Sequence, residues 1–108
     1  MATSMIKLPS YSTMFEITQE TFSFSSNTVA KNSYKSVSKT ITNTGWYPVG
    51  IVGYEADGTY ESYQHPYRYF LGNRTNGSAT LYAGVFNRNS SNAYAGILYV
   101  YVLWQRVA

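Results

Sequence analysis

The chain has 108 residues, of which 18% are aromatic and only 12% charged, with a net charge of +3; that length admits one core and not two. Twelve tyrosines beside thirteen serines, eleven threonines and eight asparagines exclude a disordered chain, which lacks aromatics, and a helical bundle, which needs Ala, Leu, Glu and Lys. The absence of cysteine and the single histidine, His65, exclude a disulfide framework, a thiolate site and a multi-histidine metal site.

Residues 1–14 are polar and irregular, with Pro9 interrupting them. They read as a flexible N-terminal tail or linker remnant, leaving 15–108 as a single β domain. They lack the build of a signal peptide, and no run in the chain reaches the roughly 20 apolar residues that cross a bilayer. Phe15 and Ile17 share one side of an extended segment, while Phe22 and Phe24 fall on the other parity. A bulge or break is therefore expected near Gln19–Glu20. Ser25–Asn32 is a turn region.

Tyr34–Thr42 alternates, with Val37, Lys39 and Ile41 on one face and Ser36, Ser38, Thr40 and Thr42 on the other, as in a half-buried strand. Asn43–Gly45 turns the chain. Val49–Tyr54 is an apolar run broken by Gly50 and Gly53, where a backbone or an aromatic ring is expected to come close. Asp57–Gly58 is a turn signal, Tyr60–Pro66 an aromatic loop, Tyr67–Leu71 a strand and Gly72–Gly77 another turn. Thr80–Phe86 is the next strand, followed by the Asn- and Ser-rich turn Asn87–Asn92. The last strand, Tyr94–Trp104, is apolar on both faces: Ile97, Tyr99, Tyr101 and Leu103 line one, Leu98, Val100, Val102 and Trp104 the other. Such a strand is either doubly covered within its own domain or covered by a neighbouring subunit. Five strong strands, with one or two more in the first segment, predict an all-β fold, a small antiparallel β-sandwich of jelly-roll-like build.

If consecutive strands run antiparallel, the loops at Asn43–Pro48 and Gly72–Gly77 share one end, and those at Glu55–Pro66 and Asn87–Asn92 share the other. The second end gathers Asp57, Tyr60, Tyr63, His65, Arg88 and Asn89, the candidate ligand-binding set. A tyrosine ring stacks on the C–H face of a pyranose, and amides, carboxylates and guanidinium take the hydroxyl hydrogen bonds. The bland alternative has several of these tyrosines capping the core with only their hydroxyls exposed. Trp46, Tyr47, Asn73 and Arg74 form the fallback site at the opposite end.

Catalysis, metals and cofactors are not expected. The acids are Glu16, Glu20, Glu55, Asp57 and Glu61, and glycoside hydrolysis needs two of them facing across a cleft for which a sandwich this small has little room. The run Glu55–Glu61 lacks the alternate ligands of an EF-hand loop, so a solvated turn is favoured over a calcium site. No G-x-S-x-G occurs to support a serine triad. Nucleobase stacking would require Arg68, Arg74, Arg88 and Lys35 to gather on one face, and the modest net charge argues against a nucleic-acid partner.

Beyond Asn32 the order of motifs resembles a known group. It runs Asn32-Ser33-Tyr34, Gly45-Trp46-Tyr47-Pro48-Val49-Gly50-Ile51-Val52-Gly53, His65-Pro66-Tyr67-Arg68, Asn87-Arg88-Asn89-Ser90-Ser91 and Ala95-Gly96-Ile97-Leu98-Tyr99-Val100-Tyr101-Val102-Leu103. This resembles the small C-terminal β-domains of tail-fibre and receptor-binding proteins from phages and prophages of gut Firmicutes. The resemblance implies a homotrimeric β-sandwich at the tip of a tail fibre, a virion component assembled in the bacterial cytoplasm, which binds a host cell-surface polysaccharide or protein. No binding motif carries over residue by residue, and no collagen-like or coiled-coil shaft is present in the chain. The expected function is thus non-enzymatic glycan recognition during host attachment, with no nucleic acid bound and no membrane insertion. The competing readings are a monomeric carbohydrate-binding module of a larger enzyme and a purely structural virion or tail protein.

Overall fold

The computed structural model describes residues 14–25, 28–57 and 64–107, with the side chains of residues 64–67 left aside. Six strands account for most of them: β1 (Phe15–Ser23), β2 (Ser33–Thr42), β3 (Trp46–Asp57), β4 (Gln64–Thr75), β5 (Ser78–Asn87) and β6 (Ile97–Arg106). They form two antiparallel three-stranded sheets, ordered β1-β6-β3 and β2-β5-β4. The first strand pairs with the last and the second with the fifth, so the chain is a long ribbon folded over on itself. This is the connectivity of a jelly roll reduced to six strands, and the expected all-β sandwich is what the chain adopts.

The core lies between the sheets. Leu98, Val100, Val102 and Trp104 of β6 face Ala79, Leu81, Ala83 and Val85 of β5, all of them buried. Phe22, Phe24, Ile41, Leu71, Val29 and Tyr94 complete the cluster, with Val37, Ile51 and Tyr69 packed against it. Period-two alternation carries each strand's apolar set to one side. At the β1/β2 side the inward positions are polar: Thr18 and Glu20 on β1, Lys39 on β2. There Trp104 Nε1 donates to Thr18 Oγ1 (2.8 Å), Thr18 donates to Glu20 (3.0 Å), and Lys39 Nζ stands 3.7 Å from Glu20 and donates to the Thr21 carbonyl (2.9 Å). Inward-pointing charges on two neighbouring edge strands close that side and discourage pairing with a foreign strand.

The structure departs from expectation at several places, among them β3, which takes in Trp46–Pro48 and Glu55–Asp57 that were expected in loops. No bulge interrupts β1, whose register with β6 runs unbroken from Phe15 to Ser23. The change of apolar parity means instead that Phe15 and Ile17 point away from the core, 39% and 59% exposed, whereas Phe22 points into it. Bulges lie in β3, where Val49-Gly50 and Val52-Gly53 each set two residues against one of β6, and the β4 register shifts against β5 between Pro66 and Arg68. A side chain at Gly50 or Gly53 would meet no atom within 4 Å; each glycine sits in a bulge, and the extra residue turns its valine outward. β4 begins earlier and ends later than expected, so that Gln64–Pro66 and Asn73–Thr75 belong to the strand and the turn tightens to Asn76–Gly77. Asn73 sits at a left-handed φ of 49° where the register of β4 slips against β5. The last strand starts at Ile97 rather than Tyr94, which makes an isolated bridge with Val29. The expected tail, apart from Met14, lies outside the described residues.

Candidate functional site

The two loop ends come together as the strand order requires. At one end Asn43 N donates to the Gly77 carbonyl and Gly77 N to that of Trp46. At the other, Gln64 pairs with Asn87 and Asp57 with Ile97, and the Tyr94 hydroxyl donates to the Asp57 carbonyl (2.7 Å). Of the six residues expected to bind at that second end, Tyr60 and Tyr63 lie outside the described residues, as does the side chain of His65, whose backbone pairs with Phe86. Asp57 and Arg88 are exposed there.

Asn89 is placed otherwise than expected. It is only 7% exposed, and its Oδ1 accepts from the amides of Ser91 (2.7 Å) and Asn92 (3.1 Å). Its neighbour Asn87 is fully buried, donating to the carbonyls of Val29 and Asn92 and accepting from Asn89 N. These asparagines hold the loop's shape, an Asx role that the sequence pattern shares with a binding role. In the fallback set, Arg106 lies over the Trp46 ring at 5.6 Å, Arg74 donates to the Val49 carbonyl (2.8 Å) and Asn73 donates to Thr80 (3.2 Å). Tyr47 is half-buried on β3. Three of those four polar or aromatic groups are therefore engaged within the chain.

A better-formed site lies on a surface that the loop argument did not reach, the outer face of the β2-β5-β4 sheet. Register puts Tyr34 opposite Phe86, Ser36 and Arg68 on either side of Gly84, and Phe70 opposite Tyr82. Phe70 and Tyr82 stack with ring centres 4.7 Å apart and planes 14° apart, and the Arg68 guanidinium stands 5.2 Å from the Phe70 ring centre. Two glycines make room for this. A methyl group at Gly84 would come within 2.6 Å of the Tyr34 ring, and one at Gly72 within 3.0 Å of the Tyr82 ring. Each tyrosine thus lies down across a strand instead of standing off it. Between Tyr34 on one side and Tyr82 and Phe70 on the other is a cleft of about 170 Å³, floored by Ser36, Val37 and Ala83 and bordered by Arg68. Tyr34 and Phe70 remain 44% and 43% exposed.

Charge is segregated between the sheets. Lys35, Lys39, Arg68 and Arg74 lie on β2 and β4, whose sheet carries no acid on any described side chain, while Glu16, Glu20, Glu55 and Asp57 all lie on β1 and β3. The cations that look scattered in sequence therefore favour one sheet. They do not share one face: Lys35 has the inward parity of Val37, Arg74 turns to β3 and Arg88 sits at the loop end. Only Arg68 joins the aromatic rings. The signal for this site was a parity signal: Tyr34, Phe70, Tyr82 and Phe86 occupy the solvent parity of strands whose other parity is Val37, Ile41, Leu71, Leu81 and Val85.

Among the described residues no three His, Asp or Glu side chains cluster as metal ligands would. Compared with family models, curated proteins and solved structures, the chain matches none, so its functional reading rests on its own residues.

Proposed function

We propose that the chain is a non-enzymatic receptor-binding domain of the phage tail-fibre kind, recognising a host cell-surface glycan and acting at the tip of a virion fibre. The observation that carries this reading is the outer face of β2-β5-β4, where exposed rings flank a cleft lined by Ser36, with Ser38, Thr40 and Thr80 further along the same face. Ring faces take the C–H face of a sugar, and hydroxyls exchange hydrogen bonds with its hydroxyls. A cleft of about 170 Å³ suits one sugar unit of a chain, well below the several hundred Å³ that enclose a whole drug-sized ligand. The described acids, Glu16, Glu20, Glu55 and Asp57, stand on the opposite sheet and leave the cleft without a carboxylate pair from them. Phe70→Ala and Tyr82→Ala should each weaken cell or glycan binding about tenfold, worth about 1.4 kcal/mol, with the fold intact by circular dichroism. If Tyr60→Ala and Tyr63→Ala abolish binding while those two leave it unchanged, the ligand sits at the loop end.

A homotrimer is part of the same proposal and draws on the other sheet. The described residues bury only the inner face of β6. The outer face presents Ile97, Tyr99, Tyr101 and Leu103, half-exposed, beside Phe15, Ile17, Val49 and Val52, which are 37–59% exposed. These apolar side chains share the face with Gln19 and Glu55, which hold the Tyr101 hydroxyl, and grouped exposed apolar side chains are a mark of interaction sites. The same feature favours this reading over a monomeric carbohydrate-binding module, which has no use for that face. Light scattering should give a mass near three chains, and Ile17→Asp should shift it to one. A wild-type monomer at micromolar concentration would remove the trimer from the proposal.

A further inference from the structure

We propose that the cleft beside Arg68 selects a carboxylate-bearing sugar unit, a uronate or similarly acidic pyranose. This rests on the glycan reading above and narrows it to a charge class. Arg68 is the single cation on the aromatic face among the described residues, and its guanidinium borders the cleft while lying 5.2 Å from the Phe70 ring centre. A planar fork held against a ring is preset to meet a carboxylate through two parallel N–H donors. The sheet beneath carries no acid among its described side chains, so an anion at Arg68 meets no competing carboxylate from it. Tyr34, Phe70 and Tyr82 supply faces for the pyranose ring, and Ser36 on the floor supplies a hydroxyl.

The arrangement argues against the other ligand that rings and an arginine can hold, a single-stranded nucleic acid. Such a strand needs a row of cations to follow its phosphates. Here Arg74 donates to the Val49 carbonyl instead, and Lys35 takes the inward parity. One charge beside three rings matches one acidic unit.

The test is an NMR titration of the whole chain with glucuronate, galacturonate and N-acetylmuramate, each beside its methyl ester, and with an oligothymidylate. The acids should shift the amides of residues 34–37, 68–70 and 82–84, binding at least about tenfold more tightly than their esters. Arg68→Gln should abolish that preference, bringing each acid and its ester to equal affinity; Arg68→Lys should restore it only in part, since an ammonium cannot meet a carboxylate through two parallel donors. Equal binding of acids and esters at these residues would overturn the charge selection and leave the glycan reading standing. Shifts by no acid at these residues would overturn the inference, and silence towards every sugar, charged or neutral, would count against the glycan reading as well. Tighter binding of the oligothymidylate at the same amides would replace the ligand class.

Discussion

Replacing Trp104 by alanine is expected to lower the free energy of unfolding by about 3–5 kcal/mol, the usual cost of deleting a buried aromatic ring. A domain of this size has about 5–15 kcal/mol in all, so the variant should be partly unfolded near 37 °C. Trp104 is fully buried between β1 and β3, opposite Glu16 on one side and Pro48 on the other. Its indole N–H donates to Thr18, which donates to Glu20, which faces Lys39 on the other sheet. Removing the ring opens a cavity and takes the first donor from the polar chain that closes the β1/β2 side. Trp104→Phe separates the two effects: it keeps most of the volume and loses only the hydrogen bond, so about 1–2 kcal/mol is expected. Urea unfolding at fixed protein concentration checks both, because any self-association makes stability depend on concentration. A Trp104→Ala variant that unfolds within 1 kcal/mol of the parent would show that the core repacks around the gap.

The second large effect is expected at Asn87. Asn87→Ala should cost about 2–4 kcal/mol, more than a typical polar substitution, because three buried hydrogen bonds lose their partner at once. Its Nδ2 donates to the Val29 and Asn92 carbonyls at 3.1 and 2.8 Å, and its Oδ1 accepts from Asn89 N at 2.9 Å. Those bonds tie the loop after β5 to the isolated Val29–Tyr94 bridge. Asn87→Asp keeps the shape but sets a carboxylate oxygen against two carbonyls. It should be worse than alanine at neutral pH and recover part of the loss on acidification, since protonation of the raised carboxyl restores one donor. The readouts are thermal unfolding against pH and hydrogen exchange at Asn89, Ser91 and Asn92. Unchanged exchange at these three amides in Asn87→Ala would mean that the loop holds its shape by other means.

Both predictions concern residues whose type the sequence made plain and whose task it did not. Asn87, Asn89 and Asn92 were legible as a turn, but a turn asparagine that binds a ligand and one that binds its own backbone have the same spelling. Only the folded loop, with Asn89 7% exposed, separates them. The aromatic rings show the same division. Twelve tyrosines announced a ring-rich surface, yet loop placement directed attention to Tyr60 and Tyr63, while the ring cluster among the described residues stands on a sheet face. Tyr34, Phe70 and Tyr82 lie far apart in the chain and meet because β2 and β4 both pair with β5. Strand order is a long-range fact, and no local pattern encodes which strands become neighbours.

What the sequence determined by itself was local and periodic. Strand positions, the two faces of β6, the turn at Asn43–Gly45 and the grouping of loops at two ends follow from period-two alternation, from turn residues and from the reversal of direction at each connection. The tertiary structure alone decided the rest. In β1 the two parities compete, and pairing along the whole of β6 settles the matter by leaving Phe15 and Ile17 outside. In β3 two valines turn outward because bulges at Val49-Gly50 and Val52-Gly53 each insert an extra residue against β6. Lys35, Lys39, Arg68 and Arg74, scattered in the chain, fall on one sheet and the described acids on the other, beside Arg106, because sheet membership, unlike sequence spacing, sets which charges share a field.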